Sequence, residues 1–408
     1  MTDFFSFLAR NGRWIAGGFL LCFFSSFGQT FFIALSNADI RDAFDLSHGE
    51  FGVLYMAATI SSAATLPFLG GLLDRYPVAA VSAGTMAMLA VAALALPLAG
   101  SVIALGLALY LLRLFGQGMM TEIALTAVGK WFNANRGRAV SVASLGHHVG
   151  TAIFPFLFVF AAGFAGWRGA WMISAGIVAL LALPLIVALV RQERDPKGDP
   201  LPATIRPVTD RTRAEVLKDP NFYVILCGVL APPFIGTTIF FHQVYLTDLR
   251  GWPLEIFALG FMVMSISTMG FSLVAGWLVD RHSSVRLLPT FLLPLAAACL
   301  VAAYVDDVWA IFAFMSLLGV STGFSSTLAG SLWPELYGAA HLGAIRSIVV
   351  SGMVLFTALG PGVTGFLIDQ GVDYPGQIAA MGFYCLAASL LMFAISRRMT
   401  IRQAGDVR

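Results

Sequence analysis

The chain alternates between long apolar runs and short segments rich in glycine, proline and charge. A helix needs about 20 mostly apolar residues to cross about 30 Å of hydrocarbon. Twelve runs meet this requirement, at residues 14–36, 49–71, 78–98, 102–128, 138–163, 168–190, 221–245, 255–278, 285–304, 308–332, 343–368 and 377–396. The pattern therefore predicts an all-α membrane protein with twelve transmembrane helices, called spans one to twelve below.

Composition supports this interpretation. Of the 408 residues, 58% are apolar and 11% are charged, whereas a soluble chain has about 45–50% apolar and about 25% charged residues. The basic residues are dispersed, which argues against nucleic acid as a partner. The four cysteines are far apart and match no metal-ligand spacing, so we expect no metal site and no cofactor.

The distribution of Lys and Arg predicts the orientation. If both termini are cytoplasmic, the inner segments carry 20 of the 24 basic residues and the outer segments carry only Arg41, Arg168 and Arg250. This asymmetry agrees with the positive-inside rule. Arg10 and Arg13 precede an apolar run that is too long for a signal peptide, so we interpret that run as the first span.

The two halves of the chain are related. A segment rich in proline and charge at 191–220 predicts a cytoplasmic linker between domains at 1–190 and 221–408, with a short surface helix near 213–217. The sequence GGLLDR at 70–75 recurs as GWLVDR at 276–281, an offset of 206 residues that also relates Pro155 to Pro361. We therefore predict two pseudo-symmetric six-helix bundles, an arrangement found in many transporters.

These motifs resemble the major facilitator superfamily. Its Gly-x-x-x-Asp-Arg/Lys signature between spans two and three matches 70–75, although Tyr76-Pro77-Val78 replace the usual residues that follow. A second signature, with Arg and glycines in span four, matches 113–118, and Gly146 and Gly150 keep part of a third in span five.

One branch of the superfamily is similar in a further respect. Lys130-Trp131-Phe132 followed by Arg136-Gly137-Arg138 resembles the monocarboxylate and oxalate/formate branch. That branch often carries a charged residue in span eight, where this chain has only Ser265, Ser267 and Thr268.

Polar residues inside the spans are the candidate site. Arg113 lies near the middle of span four, where a charge costs about 2.5–3.5 kcal/mol. It could bind a substrate carboxylate with its forked guanidinium, or it could be structural. Gln117 lies four residues further on, on the same face of an α-helix, and Gln29 of span one lies at a similar depth.

Three other candidates have two open roles each. Glu122 lies on the face opposite Arg113 and either carries a proton or anchors the inner end of span four. His147 and His148 titrate near neutral pH, which suits proton coupling, but buried histidines are also packing residues. His242, with Gln243, lies beyond a helix distortion predicted at Pro232-Pro233, where it could close an outer gate or contact substrate.

The resemblance also implies an inner gate. In the superfamily the first signature loop approaches the start of span eleven, and its second copy approaches the start of span five. The implied gating residues are Asp74, Arg75, Asp280, Arg281, Arg138 and Arg346.

Together these observations predict a secondary active transporter that works by alternating access. A small organic carboxylate is the favoured solute because Arg113 is the only deeply placed cation. Transport is either proton-linked, with H+ as the coupling ion, or an exchange. The alternatives are an efflux carrier for neutral or cationic compounds, including drugs, and a membrane-embedded enzyme or sensor. We expect a monomer in the cell membrane, spanning it many times, with lipid and solute as partners.

Overall fold

The computed structural model describes residues 2–70, 72–132, 136–192, 194, 211–338 and 342–405. Nearly all of these residues are helical, and the described part of the chain contains no strand. The chain divides into two compact units, Met1–Thr204 and Ile205–Arg408. The predicted domain and linker boundaries at 190 and 221 stay predictions.

The first unit contains spans one to six. Span one consists of Thr2–Phe24, Ser25–Gly28, Thr30–Ile33, Ala34–Ser36 and Asn37–Phe44; spans two and three are His48–Gly70 and Val78–Leu98; span four consists of Val102–Leu111, Leu112–Met120 and Thr121–Trp131; spans five and six run through Arg136–Gly176, Ile177–Ala182 and Leu183–Val190. Gly166, at φ 68°, separates spans five and six.

The second unit contains spans seven to twelve. Span seven consists of Pro220–Phe241 and Gln243–Arg250; spans eight to twelve are Leu254–His282, Leu293–Tyr304, Trp309–Tyr337, Leu342–Asp369 and Tyr374–Gly405. The short surface helix predicted within the linker is confirmed as Arg213–Val216. Thr212 and Glu215 begin it with a capping box, in which each side chain bonds the backbone of the other.

The twelve predicted spans agree with this architecture once three irregular segments are counted. Among the described residues, nine helices are long and apolar enough to cross a membrane. A pair of helices bent by 43°, Arg10–Gly28 and Thr30–Phe44, supplies span one. The 52-residue stretch Ala139–Val190 contains both span five and span six, because Gly166 divides it. The short helix Leu293–Tyr304 is span nine.

Large apolar side chains are exposed along these helices. Phe68, Leu180 and Leu273 have exposed fractions of 83%, 82% and 78%. Water would disfavour such a surface, whereas lipid tails are as apolar as the side chains themselves. The exposed surface therefore suits a bilayer.

The predicted helix distortion at Pro232-Pro233 does not break the helix. The helix Pro220–Phe241 continues through both prolines. Span seven is interrupted at His242, which leaves the helical region with φ −99° and ψ 21°.

Candidate functional site

Span one is broken halfway along its length. After the tight turn Ser25–Gly28, Gln29 is extended, with φ −82° and ψ 151°, and a helix resumes at Thr30. A break of this kind releases backbone polar groups from helical hydrogen bonding, and it is tolerated within a membrane only where protein or water satisfies those groups. The carbonyl of Gly28 is one such group.

Span four is irregular where it meets this break. Residues Leu112–Met120 form a π-helix. This conformation is rare in proteins, and where it occurs it is often at a functional site. A Cβ atom on Gly28 would lie 2.2 Å from the carbonyl oxygen of Leu112, and one on Gly116 would lie 2.5 Å from the Cα of Gly28. Only glycine at both positions lets the two backbones approach this closely.

Arg113 lies in the first turn of the π-helix and contacts the break. Its Nη1 donates hydrogen bonds to the Gly28 carbonyl oxygen at 3.3 Å and to Thr30 Oγ1 at 3.2 Å. The guanidinium carbon lies 5.3 Å from the centre of the Tyr55 ring, and the Tyr55 hydroxyl donates to Thr30 Oγ1 at 2.8 Å. Backbone, hydroxyl and aromatic groups therefore orient the arginine.

The positive charge of Arg113 has no anionic partner in the described part of the chain. The side chain is 3% exposed, and its buried Nε has no hydrogen-bond partner there. Ionisable groups inside a membrane normally pair with one another or line a substrate or ion pathway. The arrangement can bind a carboxylate.

Both predicted glutamines lie at the same crossing. Gln29 is the extended residue of the break and is 9% exposed. The backbone nitrogen of Gln117 lies 2.7 Å from where a Cβ on Gly28 would stand. The α-helical turn assumed between Arg113 and Gln117 is instead a wider π-helical turn, with i→i+5 hydrogen bonds.

Span five brings the histidines to the second half of the break. Gly146 and Gly150 permit this close packing. A Cβ on Gly146 would lie 2.0 Å from the Phe19 carbonyl oxygen, and one on Gly150 would lie 2.3 Å from Ser26 Oγ. The ring of His147 is 6.3 Å from the ring of Phe31, which follows Thr30. The ring of His148 is 5.6 Å from that of His147 and extends the pair.

Glu122 is placed apart from these contacts. It is exposed, and its Oε1 accepts a hydrogen bond from Thr126 Oγ1 at 2.9 Å, one turn further along the same helix. Its role as a proton carrier or an anchor stays a prediction.

His242 belongs to the second unit and lies at the interruption of span seven. It is 1% exposed, and its Nε2 is 3.2 Å from the carbonyl oxygen of Pro361 in span eleven. Its ring packs 5.6 Å from that of Tyr374. These contacts join spans seven, eleven and twelve, and substrate binding by His242 stays a prediction.

The structure describes the side chains of three gating residues, and all three are exposed: Arg75, Arg281 and Arg346. The guanidinium of Arg281 lies 5.3 Å from the ring centre of Trp277. The side chains of Asp74, Arg138 and Asp280 lie outside the described residues, so the gate stays a prediction.

The sequence did not single out Thr30 or Tyr55. Both carry hydroxyl groups, which are common in membrane helices and pack there without further function. Only the position of Thr30, next to Gln29 and after a glycine, was a signal that could have found it.

Known proteins are similar to this chain in sequence or in fold. Human monocarboxylate transporter 11 is 25% identical over 395 residues, which cover 92% of this chain and 80% of the relative. Mouse monocarboxylate transporter 6 is 26% identical over 289 residues, covering 69% of this chain and 49% of the relative. A crystal structure of a bacterial homologue of the human lysosomal transporter Spinster, inward-facing and unoccupied, has a TM-score of 0.69 at 17% identity and covers 95% of this chain and 93% of its own.

Twelve spans in two units, together with these relatives, indicate a multi-pass membrane transporter rather than an enzyme. The sequence profile of the Major Facilitator Superfamily matches residues 18–282 and 251–405. The chain belongs to this family.

Proposed function

We propose that the protein carries a small organic carboxylate across the membrane by alternating access, and that Arg113 binds the carboxylate. The observation that carries this proposal is the buried charge of Arg113, which forms no ion pair with any carboxylate among the described residues. Leaving a buried charge unpaired is unfavourable, so an anionic solute would supply the missing partner. Two relatives whose names describe monocarboxylate transport support the same solute class.

Transport is coupled to protons, or it is an exchange of one solute for another. His147 supports proton coupling, because its imidazole contacts Phe31 next to the Arg113 acceptor Thr30. Imidazole is the side chain whose ordinary pKa lies closest to physiological pH. Protonation there would change the charge close to the carboxylate that Arg113 holds.

The transporter works as a monomer in the cell membrane, with both termini in the cytoplasm. The distribution of Lys and Arg supports this orientation. Asp74 and Asp280 gate the cytoplasmic side through Arg346 and Arg138.

A ligand-stabilisation experiment separates this proposal from an efflux carrier of neutral or cationic compounds. The purified protein is heated with small keto and hydroxy acids, with the primary amide of each acid, and with organic amines. A ligand raises the melting temperature of the state that it binds. We expect stabilisation by one or more acids and by none of their amides; stabilisation by amines or amides alone would favour the efflux carrier.

A further inference from the structure

A long apolar groove runs along the second unit between spans seven, eleven and twelve. Two cavities of about 560 and 330 Å³ form it and share Cys227 and Tyr384. On span twelve the groove extends from Gly376 to Leu391, about 22 Å at 1.5 Å per residue. This length exceeds half of the hydrocarbon core, about 15 Å, which is the depth of one lipid tail.

The lining suits a hydrocarbon chain. Leu230, Phe234, Val363 and Met381 are typical of it. Part of the lining is open to the surroundings, because Cys227, Val363 and Tyr384 are exposed. Where no other part of the protein covers it, such a surface of a membrane-spanning helix faces lipid.

One end of the groove is polar and carries acceptors. Gln377 is 7% exposed, and its Nε2 donates to the carbonyl oxygen of Val372 at 3.1 Å, which fixes the orientation of the amide. Its Oε1 is buried without a hydrogen-bond partner among the described residues. The backbone carbonyl of Asp373 accepts a hydrogen bond from the Gln377 backbone nitrogen at 3.1 Å, and its carboxylate accepts one from the Gly376 backbone nitrogen at 2.7 Å.

The charge at this end is negative. The loop between spans eleven and twelve, Asp369-Gln370-Gly371-Val372-Asp373, contains two carboxylates and no Lys or Arg. A buried acceptor without a donor is unfavourable, and a hydrogen bond from a charged donor contributes more than one from a neutral donor. The ligand that fits best therefore combines a hydrocarbon tail with a positively charged N–H donor.

We propose that this groove binds a phospholipid with a primary ammonium headgroup, an ethanolamine phospholipid. One tail lies in the groove, and the ammonium donates to Gln377 Oε1 beside the Asp373 carboxylate. A choline headgroup has the charge but no N–H to donate, and an anionic headgroup meets Asp373 unfavourably. This lipid site is separate from the solute site at Arg113 and does not depend on which solute is carried.

Cys227 provides a direct measurement, because it is exposed in the groove while Cys22, Cys299 and Cys385 are buried. The full chain is reconstituted in two kinds of nanodisc. One contains only choline phospholipid, and in the other half of this lipid is replaced by ethanolamine phospholipid with identical tails. The rate of Cys227 alkylation by a small membrane-permeant maleimide is followed by intact mass. We expect the ethanolamine lipid to slow alkylation about tenfold or more, as the gain of one charge-assisted hydrogen bond implies.

Variants test the headgroup assignment. Gln377→Met and Asp373→Asn should each remove most of the difference between the two lipids, whereas Gln370→Met, an exposed glutamine on the same loop, should preserve it. Equal alkylation rates of the unmodified chain in both lipids would overturn the proposal. A phospholipid with a glycerol headgroup, which has no ammonium group, would also overturn it if it slowed Cys227 alkylation as much as the ethanolamine lipid does. Gln377→Met could lower the melting temperature of the protein in nanodiscs of pure choline lipid, which would indicate a folding defect. In that case Asp373→Asn decides the test, since Asp373 is an exposed loop residue.

Discussion

The groups that surround Arg113 orient its guanidinium without neutralising it. The Gly28 carbonyl and the Thr30 hydroxyl accept hydrogen bonds from one nitrogen, and the Tyr55 ring lies against the guanidinium. A carboxylate in their place would lower the affinity for an anionic solute, because the charge would already be paired. A polar and aromatic setting keeps the positive charge available.

Tyr55 is the residue whose role is simplest to test. Tyr55→Phe keeps the ring beside Arg113 but removes the hydroxyl that donates to Thr30 Oγ1. We expect solute affinity to fall about fivefold, the effect of one net hydrogen bond of about 1 kcal/mol. The matched control is Tyr110→Phe, which removes a hydroxyl that donates to Thr65 Oγ1 in the same unit. Equal effects of the two substitutions in a solute-binding titration would exclude a positioning role for Tyr55.

The histidine pair predicts the pH dependence of transport. Imidazole ordinarily titrates near pH 6.5, so a histidine that cycles its proton makes uptake vary between about pH 5 and 8. Replacing His147 and His148 together by Gln should flatten this dependence while solute binding at one fixed pH remains. An unchanged pH profile with normal rates would mean that the two rings only pack.

At the scale of helices, the sequence predicts the regular segments and misses the irregular ones. Span three, predicted at 78–98, is the helix Val78–Leu98, because Pro77 precedes its apolar run and Gly100-Ser101 follow it. The break at Gln29 and the π-helix Leu112–Met120 lie inside continuous apolar runs. Both depend on tertiary packing of Gly28 against Gly116, which the pattern of a single helix does not reveal.

This glycine contact should be essential to the site. In Gly28→Ala the new methyl would lie 2.2 Å from the Leu112 carbonyl oxygen, and forcing an atom into packed surroundings costs about 1–3 kcal/mol. We expect a lower melting temperature and loss of uptake. Gly129→Ala in span four meets nothing within 4 Å and should leave both unchanged. Normal uptake by Gly28→Ala would show that the close approach is dispensable.

At the scale of the whole chain, the two related halves and the basic inner segments predict one orientation. A single cysteine introduced at residue 210, in a variant without the four natural cysteines, should react with an impermeant maleimide only after the membrane is opened. Labelling at that position in intact cells would contradict the predicted orientation and the cytoplasmic location of the gate.

The central claim is that Arg113 binds the carboxylate of the transported solute, and reconstituted transport tests it most directly. Proteoliposomes are assayed for uptake of labelled keto and hydroxy acids, each beside its primary amide, under an imposed proton gradient. We expect uptake of an acid but not of its amide. Arg113→Lys, which keeps the charge but loses the guanidinium fork, should reduce that uptake about tenfold to a hundredfold, since each hydrogen bond to a charged group contributes about 1.5–3 kcal/mol. Amide uptake as fast as acid uptake, or full activity in Arg113→Ala, would contradict the account.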